Sequence, residues 1–506
     1  MANRQFIFQS ELPVSLEEAF AWHLRKGAIE RLMPPWIHAS FLASPSRPDQ
    51  EGGQVGIKIK WGLFSFKWIL EHQNFIPNQE FSDIQVHGPF RRYRHRHHFL
   101  PIDLVSFPIN SRPSDRVKAL GVDDRKSVCV PNIDRLALDE PLEISGGQRG
   151  RNLWEKTLSS CRLSDEISFA MPFGFLNPKV EHELARYFRW RHAILKEDLK
   201  MYDRYPQEPQ RILLSGASGF IGSKLKIFLQ LCGHEVVRLV RRKEEVAEDA
   251  IYWDPTHGNF QKDSFEGFDA VIHLAGAGLA QGRWTKDKKE QFFLSRCRDT
   301  WLLSQVLCRL YRPPKTVICA SAIGFYGNRG SEELTEESVQ GSGFLADLCG
   351  KWERATEPIE NRGSRVVHAR FGAVLSAQGG MLQKMLLPFR LGLGGKMGSG
   401  KHIISWIGID DLLGSLYHSL MKENLNGAVN LVAPQPVSQI EFARILAKTI
   451  RRPSFSRIPA WALKMALGEM AEEMILSSQN VKPDKLLKTG YEFRYPDLQK
   501  ALDFVI

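Results

Sequence analysis

Alternating apolar and polar residues dominate the N-terminal part of the chain. Val55, Ile57 and Ile59 alternate with lysines, and similar alternation returns over residues 64–70 and 81–99. A period of two is the spacing of half-buried strands, so the pattern predicts antiparallel strands with one buried face.

Helices are predicted on either side of these strands. Ser15 and Glu18 have the spacing of a capping box, and Asn177-Pro178 begins a long amphipathic helix. A helix, a run of strands and a long closing helix make an α+β helix-grip fold. Its inner face either lines a cavity for a lipophilic ligand or forms a solid core. The side chains expected there are Phe64, Phe66, Trp68 and Leu70 on a strand and Leu184, Phe188 and Leu195 on the helix.

Two stretches of the chain interrupt the apolar periodicity. Residues 102–157 are rich in Pro, Ser, Asp, Gly and Arg and are predicted to be an inserted loop. Residues 205–210 contain two prolines, which is typical of a linker. We therefore expect domains at 1–205, 211–430 and 431–506.

Apolar runs alternate with helical segments after the linker. This order predicts an α/β Rossmann domain with a doubly wound parallel sheet. The part after Asn430 is predicted to be mainly helical. The expected strands lie at 211–215, 235–240, 270–275, 316–321 and 365–374, and the helices at 220–232, 285–310 and 344–361.

Composition narrows the class of protein. Hydrophobic residues make up 43% of the 506 and charged residues 25%, which argues against a disordered chain. The net charge of +11 permits anionic partners but is mild for this length. Seven cysteines without a CxxC pair predict neither a disulfide framework nor a zinc site. This cysteine usage fits a reducing cytosol best, so we expect a cytoplasmic protein. No apolar run approaches the about 20 residues of a membrane span, so we expect no integral membrane association.

A glycine-rich turn connects the first strand of the α/β part to its first helix. Gly216, Gly219 and Gly222 have the spacing of a dinucleotide-binding turn. The glycines permit a tight turn, a close approach to a pyrophosphate and close helix packing, and the helix N-terminus attracts phosphate. The alternative is a plain tight turn. The intervening residues of the candidate site are Ser218, Phe220 and Ile221.

The end of the second α/β strand carries Arg241 and Arg242. An acidic residue there binds the ribose of NAD, whereas arginines suit the 2′-phosphate of NADP. The alternative is a solvated charge cluster, because Lys243, Glu244 and Glu245 follow. The pattern favours NADP.

Residues 211–506 resemble the atypical extended short-chain dehydrogenase/reductases of the "epimerase family protein" subgroup. That resemblance implies NADP as cofactor, a small-molecule substrate, and cofactor contacts at the glycine turn, Arg241, Arg242, Leu274, Ala275, Gly276, Arg296 and Ala373. The matching stretches are Gly216–Gly222, His273–Gly276, Arg283-Trp284, Ser295-Arg296, Lys351–Glu353, Leu386–Gly395, Trp406–Asp410, Glu441–Ala443 and Ser478–Pro483.

Residues 8–36, 93–99 and 163–173 resemble START-like proteins of the polyketide cyclase and coenzyme Q-binding kind. This second resemblance implies that the N-terminal domain binds a lipophilic ligand.

The sequence departs from active reductases at the acid/base pair. Such enzymes use Tyr-x-x-x-Lys on the helix after the strand 316–321, and no tyrosine lies between Tyr326 and Tyr417. Ser321 and Tyr326 are the remaining catalytic candidates, although Tyr326 is equally well explained as a turn aromatic packing on the next helix. Whether the protein is an enzyme stays open.

The densest basic run is residues 91–98. On a strand its side chains point to opposite faces, so a solvated strand face is favoured over a nucleic-acid or lipid site. His95 and His97 share one face, but no third ligand is evident beside them, so no metal site is predicted.

Three functions remain. The first is NADPH-dependent reduction or epimerisation of a small or lipophilic substrate. The second is a catalytically silent NADP sensor or scaffold, and the third is a lipid or quinone carrier. The missing tyrosine favours the second, and the fusion to a ligand-binding fold favours the other two. The sequence does not indicate the oligomeric state.

Overall fold

A computed structural model describes residues 4–61, 64–102, 160–173, 175, 177–205, 208–255, 262–280 and 282–506. The chain folds into two units, Met1–Pro206 and Gln207–Ile506. The predicted insertion at 102–157 lies outside the described residues, apart from residue 102. No helix of the described part is long and apolar enough to cross a membrane.

The first unit contains an antiparallel seven-stranded sheet. Its strand order is β1-β7-β6-β5-β4-β3-β2, so β7 pairs with β1 although most of the unit separates the two strands in sequence. The strands are β1 (Arg4–Leu12), β2 (His38–Phe41), β3 (Gln54–Trp61), β4 (Phe64–Ile76), β5 (Glu80–His87), β6 (Arg92–Pro101) and β7 (Cys161–Ala170).

The described residues of this unit form three helices beside the sheet: α1 (Leu16–Leu24), α2 (Ala28–Arg31) and α3 (Asn177–Arg204). The predicted cap of α1 is confirmed, because the Ser15 side chain accepts a hydrogen bond from the Glu18 backbone N–H. Phe188 of α3 joins a hydrophobic cluster with Leu70, Trp68 and Leu184, as the sequence predicted. The Phe64 side chain lies outside the described residues.

Strand β6 corrects the interpretation of the basic run. Its arginines lie on one face, whereas Tyr93, His95, His97 and Phe99 lie on the other and are buried. The interpretation of the whole run 91–98 as a solvated face was therefore wrong for Tyr93, His95 and His97. The period of two places the histidines in the interior together with the aromatic residues.

The second unit contains a parallel seven-stranded sheet of order β10-β9-β8-β11-β12-β14-β19. Every pairing within it is parallel, which confirms the predicted Rossmann-like α/β fold. Its strands are β8 (Arg211–Ser215), β9 (Glu235–Val240), β10 (Ala250–Tyr252), β11 (Ala270–His273), β12 (Thr316–Ala322), β14 (Arg365–Phe371) and β19 (Gly427–Leu431).

The helices of the second unit differ in detail from those predicted. The helix expected at 285–310 contains a π-helical segment at 294–298, and the helix expected at 344–361 is broken at 355–356. The helices are α4 (Phe220–Leu231), α5 (Lys286–Phe293), α6 (Asp299–Cys308), α7 (Phe344–Arg354), α8 (Glu357–Asn361), α9 (Gly380–Arg390), α10 (Ile409–Met421), α11 (Gln439–Thr449), α12 (Ala460–Leu467), α13 (Asp484–Lys488) and α14 (Leu498–Val505). Short 3-10 turns lie at Lys243–Glu245, Lys262–Phe265 and Ile323–Tyr326, and a second π segment lies at Ala471–Ile475.

Short strands connect the last part of the chain to earlier segments. Leu382 and Trp406 share a core with Phe442, Leu446 and Leu502, so the packing crosses residue 430. The short strands are β13 (Glu333–Leu334), β15 (Ala373–Ser376), β16 (Gly395–Met397), β17 (Ile403–Ile404), β18 (Trp406–Gly408), β20 (Val437–Ser438), β21 (Ser456–Ile458) and β22 (Asn480–Val481), paired as β13-β22, β15-β18, β16-β21 and β17-β20.

Candidate functional site

The glycine-rich turn lies between β8 and α4. Gly216 has a φ of +70°, a conformation that L side chains rarely adopt, and a Cβ on it would meet the backbone of Leu274 and Ala275 at 2.9 Å. A Cβ on Gly222 would lie 2.1 Å from the Gly216 carbonyl oxygen. Glycine is therefore required at both positions, which keeps the helix close to the turn and the turn close to the end of β11.

The N-terminus of α4 has no side-chain cap. Gly219 is the N-cap residue, and its neighbour Ser218 is exposed. The first N–H groups of an α-helix have no intrahelical partner, so Phe220, Ile221 and Gly222 present N–H donors at the positive end of the helix dipole. This is the usual arrangement for binding a phosphate. The uncapped helix N-terminus beside this tight glycine turn suits a dinucleotide pyrophosphate.

Strands β8 and β11 form the point at which the strand order changes direction. The chain adds β9 and β10 on one side of β8 and then crosses over to add β11 on the other side. In open α/β sheets ligands bind outside the carboxyl ends of the strands at this point. The glycine turn follows one of these two strands, and residues 274–276 follow the other.

A buried hydrogen-bond network fixes these two strand ends. The Ser215 hydroxyl accepts from the backbone N–H groups of Leu274 and Ala275 at 3.1 and 3.3 Å, and lies 2.6 Å from His273 Nδ1. His273 Nε2 lies 3.0 Å from the Thr300 hydroxyl. Burial, followed by the charge of Arg241, lowers the pKa of His273 to about 4. His273 is therefore neutral at physiological pH and acts as a structural link.

Arg296 lies beside Gly276 with part of its guanidinium uncommitted. It belongs to the π segment Leu294–Arg298, and π-helical turns frequently occur at functional sites. A Cβ on Gly276 would lie 3.2 Å from its Cζ. Its Nε and Nη1 are buried and have no hydrogen-bond partner among the described residues. Burial lowers the pKa of Arg296 to about 10, so it stays charged and suits an anionic ligand.

Arg241 and Arg242 extend from the end of β9 into solvent. Their side chains are 56% and 78% exposed. Arg241 donates to Asp299 at 3.0 Å, and Arg242 forms an ion pair with Glu245 at 2.7 Å. The Arg242 pair is exposed and therefore weak, so it does not prevent that guanidinium group from binding a phosphate. In the Arg241 pair the carboxylate of Asp299 is only 4% exposed, but the guanidinium group itself remains accessible to solvent.

The two catalytic candidates belong to one buried ion-pair network. Ser321 donates to Glu353 at 2.7 Å, and Arg370 donates to both oxygens of Glu353 at 2.8 Å. Arg370 also donates to the Tyr326 hydroxyl at 2.9 Å, and that hydroxyl donates to Asn430 at 2.7 Å. Burial, which outweighs the neighbouring arginine, raises the pKa of Tyr326. A fully buried hydroxyl so engaged is poorly placed to exchange protons with a substrate.

Ala373, the remaining predicted cofactor residue, begins β15 just beyond the carboxyl end of β14. Its backbone N–H donates to the Ser405 carbonyl oxygen at 2.9 Å, and its side chain is half-buried.

A polar cleft of about 380 Å³ lies in the second unit and joins the segment after β12 to the C-terminal helices. The lining residues are Asn328, Ser342, Gly343, Lys464, Glu472, Glu473, Leu476 and Ser477.

The first unit contains a buried histidine–aspartate cluster that the sequence analysis missed. Asp83 lies opposite His95, and Asp165 lies opposite His97, on the strands that flank β6. The prediction that no third ligand accompanies the two histidines was therefore wrong. The sequence contained part of the evidence, because the period of two already placed Tyr93 and both histidines on one face of the strand. The pairing register that brings Asp83 and Asp165 opposite the histidines is known only from the structure.

Sequence comparison matches residues 212–431 to a family described as "NAD dependent epimerase/dehydratase family", and residues 458–505 to a domain of unknown function, DUF1731. An epimerase family protein of Mycobacterium bovis is 38% identical over 293 residues, which are 58% of this chain and 96% of that protein. The human epimerase family protein SDR39U1 is 34% identical over 299 residues, 58% of this chain and 99% of that protein.

Two of the crystal structures that are similar to this fold illustrate the extent of the match. A nucleoside-diphosphate sugar epimerase from Corynebacterium glutamicum has a TM-score of 0.73 at 29% identity, covering 99% of this chain and 90% of that chain. Human SDR39U1 (isoform 2) with NADPH has a TM-score of 0.54 at 33% identity, covering 58% of this chain and 98% of that chain. The first similarity extends over both units, and the second covers about the length of one.

Proposed function

The chain belongs to the NAD dependent epimerase/dehydratase family, and on that premise we propose that its second unit is an NADP(H)-binding, short-chain dehydrogenase/reductase-like domain acting on a small-molecule substrate. The observation that carries the proposal is the uncapped N-terminus of α4, whose glycine turn lies against the end of β11. The phosphates would bind the N–H groups of α4, and Arg296 supplies a buried charge with uncommitted donors beside Gly276. NADPH, when bound, supplies a hydride.

The choice of NADP over NAD depends on Arg241 and Arg242. Both guanidinium groups lie at the end of β9 and are accessible to solvent. At this position an acidic residue would bind the ribose 2′-hydroxyl, whereas arginine pairs with a 2′-phosphate. The human relative whose structure contains NADPH supports this choice.

Titration of the full chain with NADPH and with NADH tests the cofactor. Arg242→Asp should weaken NADPH binding far more than NADH binding, because only NADPH carries the 2′-phosphate. Arg444→Asp is the matched control, since Arg444 is 79% exposed and also forms an i,i+3 ion pair, with Glu441. An equal loss for both cofactors would contradict the 2′-phosphate assignment.

Turnover requires an acid or base other than the usual tyrosine–lysine pair. Helix α7 carries Glu353 instead, and this carboxylate is committed to Arg370 and Ser321. This commitment favours a second candidate function, in which the domain binds NADP(H) without turnover as a sensor or scaffold. A crystal structure with NADPH distinguishes the two functions. A titratable side chain within hydrogen-bond reach of the nicotinamide C4 region supports the enzyme, and an apolar lining supports the sensor.

For the first unit we propose a START-like helix-grip domain. The antiparallel sheet, in which the first strand β1 pairs with the last strand β7, and the long helix α3 support this assignment. The aromatic cluster around Phe188 offers apolar surface to a lipophilic ring or acyl chain. Native mass spectrometry of the full chain after gentle purification tests the ligand. A clean mass without a ligand, together with no uptake of quinones or fatty acids, would favour a solid core.

A further inference from the structure

Three neighbouring strands bring four polar side chains to one buried position of the first unit. His95 and His97 are two residues apart on β6 and share a face. Asp83 on β5 is the register partner of His95, and Asp165 on β7 is the register partner of His97. All four side chains therefore belong to the same face of the sheet. Three of them are fully buried, and the Asp83 side chain is only 13% exposed.

The nitrogen and oxygen atoms of this group converge at ion-pair distances but with poor hydrogen-bond geometry. His97 Nδ1 lies 2.6 Å and His95 Nε2 lies 3.4 Å from the same Asp165 oxygen. None of these three atoms has a hydrogen bond of acceptable geometry among the described residues. Buried polar groups are nearly always hydrogen-bonded, so three unsatisfied atoms facing one another call for an explanation. Ligand atoms of Asp83, His95 and His97 also lie within 4.8 Å of one another.

Each aspartate is held by a further histidine. His72 Nδ1 lies 2.6 Å from Asp83 Oδ1, and its other nitrogen lies 3.1 Å from a backbone carbonyl oxygen. His192 Nε2 lies 2.9 Å from Asp165 Oδ2, and its Nδ1 lies 2.7 Å from the Ser10 hydroxyl. Metal sites in proteins characteristically have such outer partners, which fix the orientation of the ligands and are almost as important for affinity.

The charge of the buried carboxylates is a second reason to expect a cation in this cluster. Two carboxylates are buried in the cluster, and burying a carboxylate is costly unless positive charge accompanies it. Arg191 Nε lies 3.9 Å from Asp165, too far for a hydrogen bond, and its Nη2 lies 3.5 Å from His97. Without a cation, the balance would depend on Arg191 and on protonated histidines. A divalent cation satisfies both the charge and the unpaired donor atoms.

We propose that the first unit holds a divalent first-row transition metal ion, bound by His95, His97 and Asp83 with Asp165 as the fourth donor. Two imidazole nitrogens and two carboxylate oxygens are borderline ligands that suit Zn²⁺ or Fe²⁺ better than Mg²⁺ or Ca²⁺. The deep burial of the four residues is typical of a closed, structural site.

The test begins with the full chain as purified, in which elemental analysis should find one transition metal ion per chain. After chelation, Zn²⁺ titration should restore one tight site, and Co²⁺ should give the visible absorption of imidazole and carboxylate ligation without a thiolate band. Asp83→Asn preserves shape and removes a ligand charge. It should weaken Zn²⁺ affinity by at least about tenfold and diminish the rise in unfolding temperature that Zn²⁺ causes in the wild type.

His98→Gln is the matched control, because His98 lies on the same strand but on its opposite face. It should bind Zn²⁺ like the wild type, whereas His97→Asn should not. Equal affinity in both variants would overturn the proposal, as would a metal-free wild type that fails to bind Zn²⁺ and Co²⁺. Should the site variants not fold, the Co²⁺ spectrum of the wild type decides: a thiolate band refutes the site, and imidazole ligation supports it.

Discussion

Replacing Glu353 by Gln tests whether the buried network in the second unit is structural. Glu353 accepts two hydrogen bonds from Arg370 at 2.8 Å and one from Ser321 at 2.7 Å. The two charged side chains are only 11% and 5% exposed. Gln keeps the shape and one acceptor oxygen, but it presents an N–H group to the guanidinium and removes the compensating charge.

The expected cost follows from these contacts. Removing one partner of a buried ion pair destabilises by about 3–5 kcal/mol. The retained amide oxygen preserves one hydrogen bond, which offsets about 1 kcal/mol. Glu353→Gln should therefore lower the free energy of unfolding by about 2–4 kcal/mol. In the double variant with Arg370→Met, the loss should be smaller than the sum of the two single losses, because no unpaired charge remains.

Urea unfolding of the full chain, followed by tryptophan fluorescence, measures this change. Glu357→Gln is the control, since Glu357 is exposed on α8, and surface changes of this kind stay within about 0.5 kcal/mol. If Glu353→Gln falls within the range of the control, the ion pair does not stabilise the unit. Glu353 would then be free to act as an acid or base in turnover.

Three further predictions concern the second unit. Gly222→Ala should abolish tight NADPH binding measured by calorimetry, because the added Cβ would lie 2.1 Å from the Gly216 carbonyl oxygen. Gly408→Ala is the control and should leave binding unchanged, because a Cβ at that position meets nothing within 4 Å. Arg296→Met should weaken NADPH binding by about tenfold or more, since a charge-assisted hydrogen bond contributes about 1.5–3 kcal/mol. Thermal stability should not fall, because the Arg296 guanidinium has few partners in the free protein. A loss of stability without a loss of NADPH affinity would assign Arg296 a structural role. Burial lowers the pKa of His234 to about 4, so the folded state resists protonation of this side chain. The free energy of unfolding should therefore fall as the pH drops from about 6.5 to 4. His234→Asn should make that fall shallower, and an unchanged pH profile would contradict the lowered pKa of His234.

The parallel sheet of the second unit was predictable because its signals are local. The strands Arg211–Ser215 and Glu235–Val240 have the bounds expected from their apolar runs. The Ser438 cap of α11 is equally local, because its side chain accepts from the Glu441 N–H only three residues later. Strand β14 ends at Phe371, earlier than predicted, because the chain passes through Gly372 into a separate strand.

The buried networks were not predictable, because their members are distant in sequence. Glu353 and Arg370 lie on a helix and a strand whose packing brings them together. Asp165 faces His97 only because β7 follows a long intervening segment and pairs in one register with β6. A shift of this register by one residue would turn the aspartate to the opposite face. Hydrophobic periodicity identifies which face is buried but leaves this pairing undetermined.

The exposure of the polar groups separates binding from structural roles in the second unit. Ser218, Gly219 and Gly276 around the glycine turn are exposed, so a diffusible cofactor can reach the backbone there. The catalytic candidates Ser321 and Tyr326 are buried and fully engaged. An acid or base for turnover therefore has to come from other residues or from the substrate itself. The domain has the features needed to bind a nucleotide, while the helix that usually carries the catalytic pair places Glu353 in a buried ion pair with Arg370.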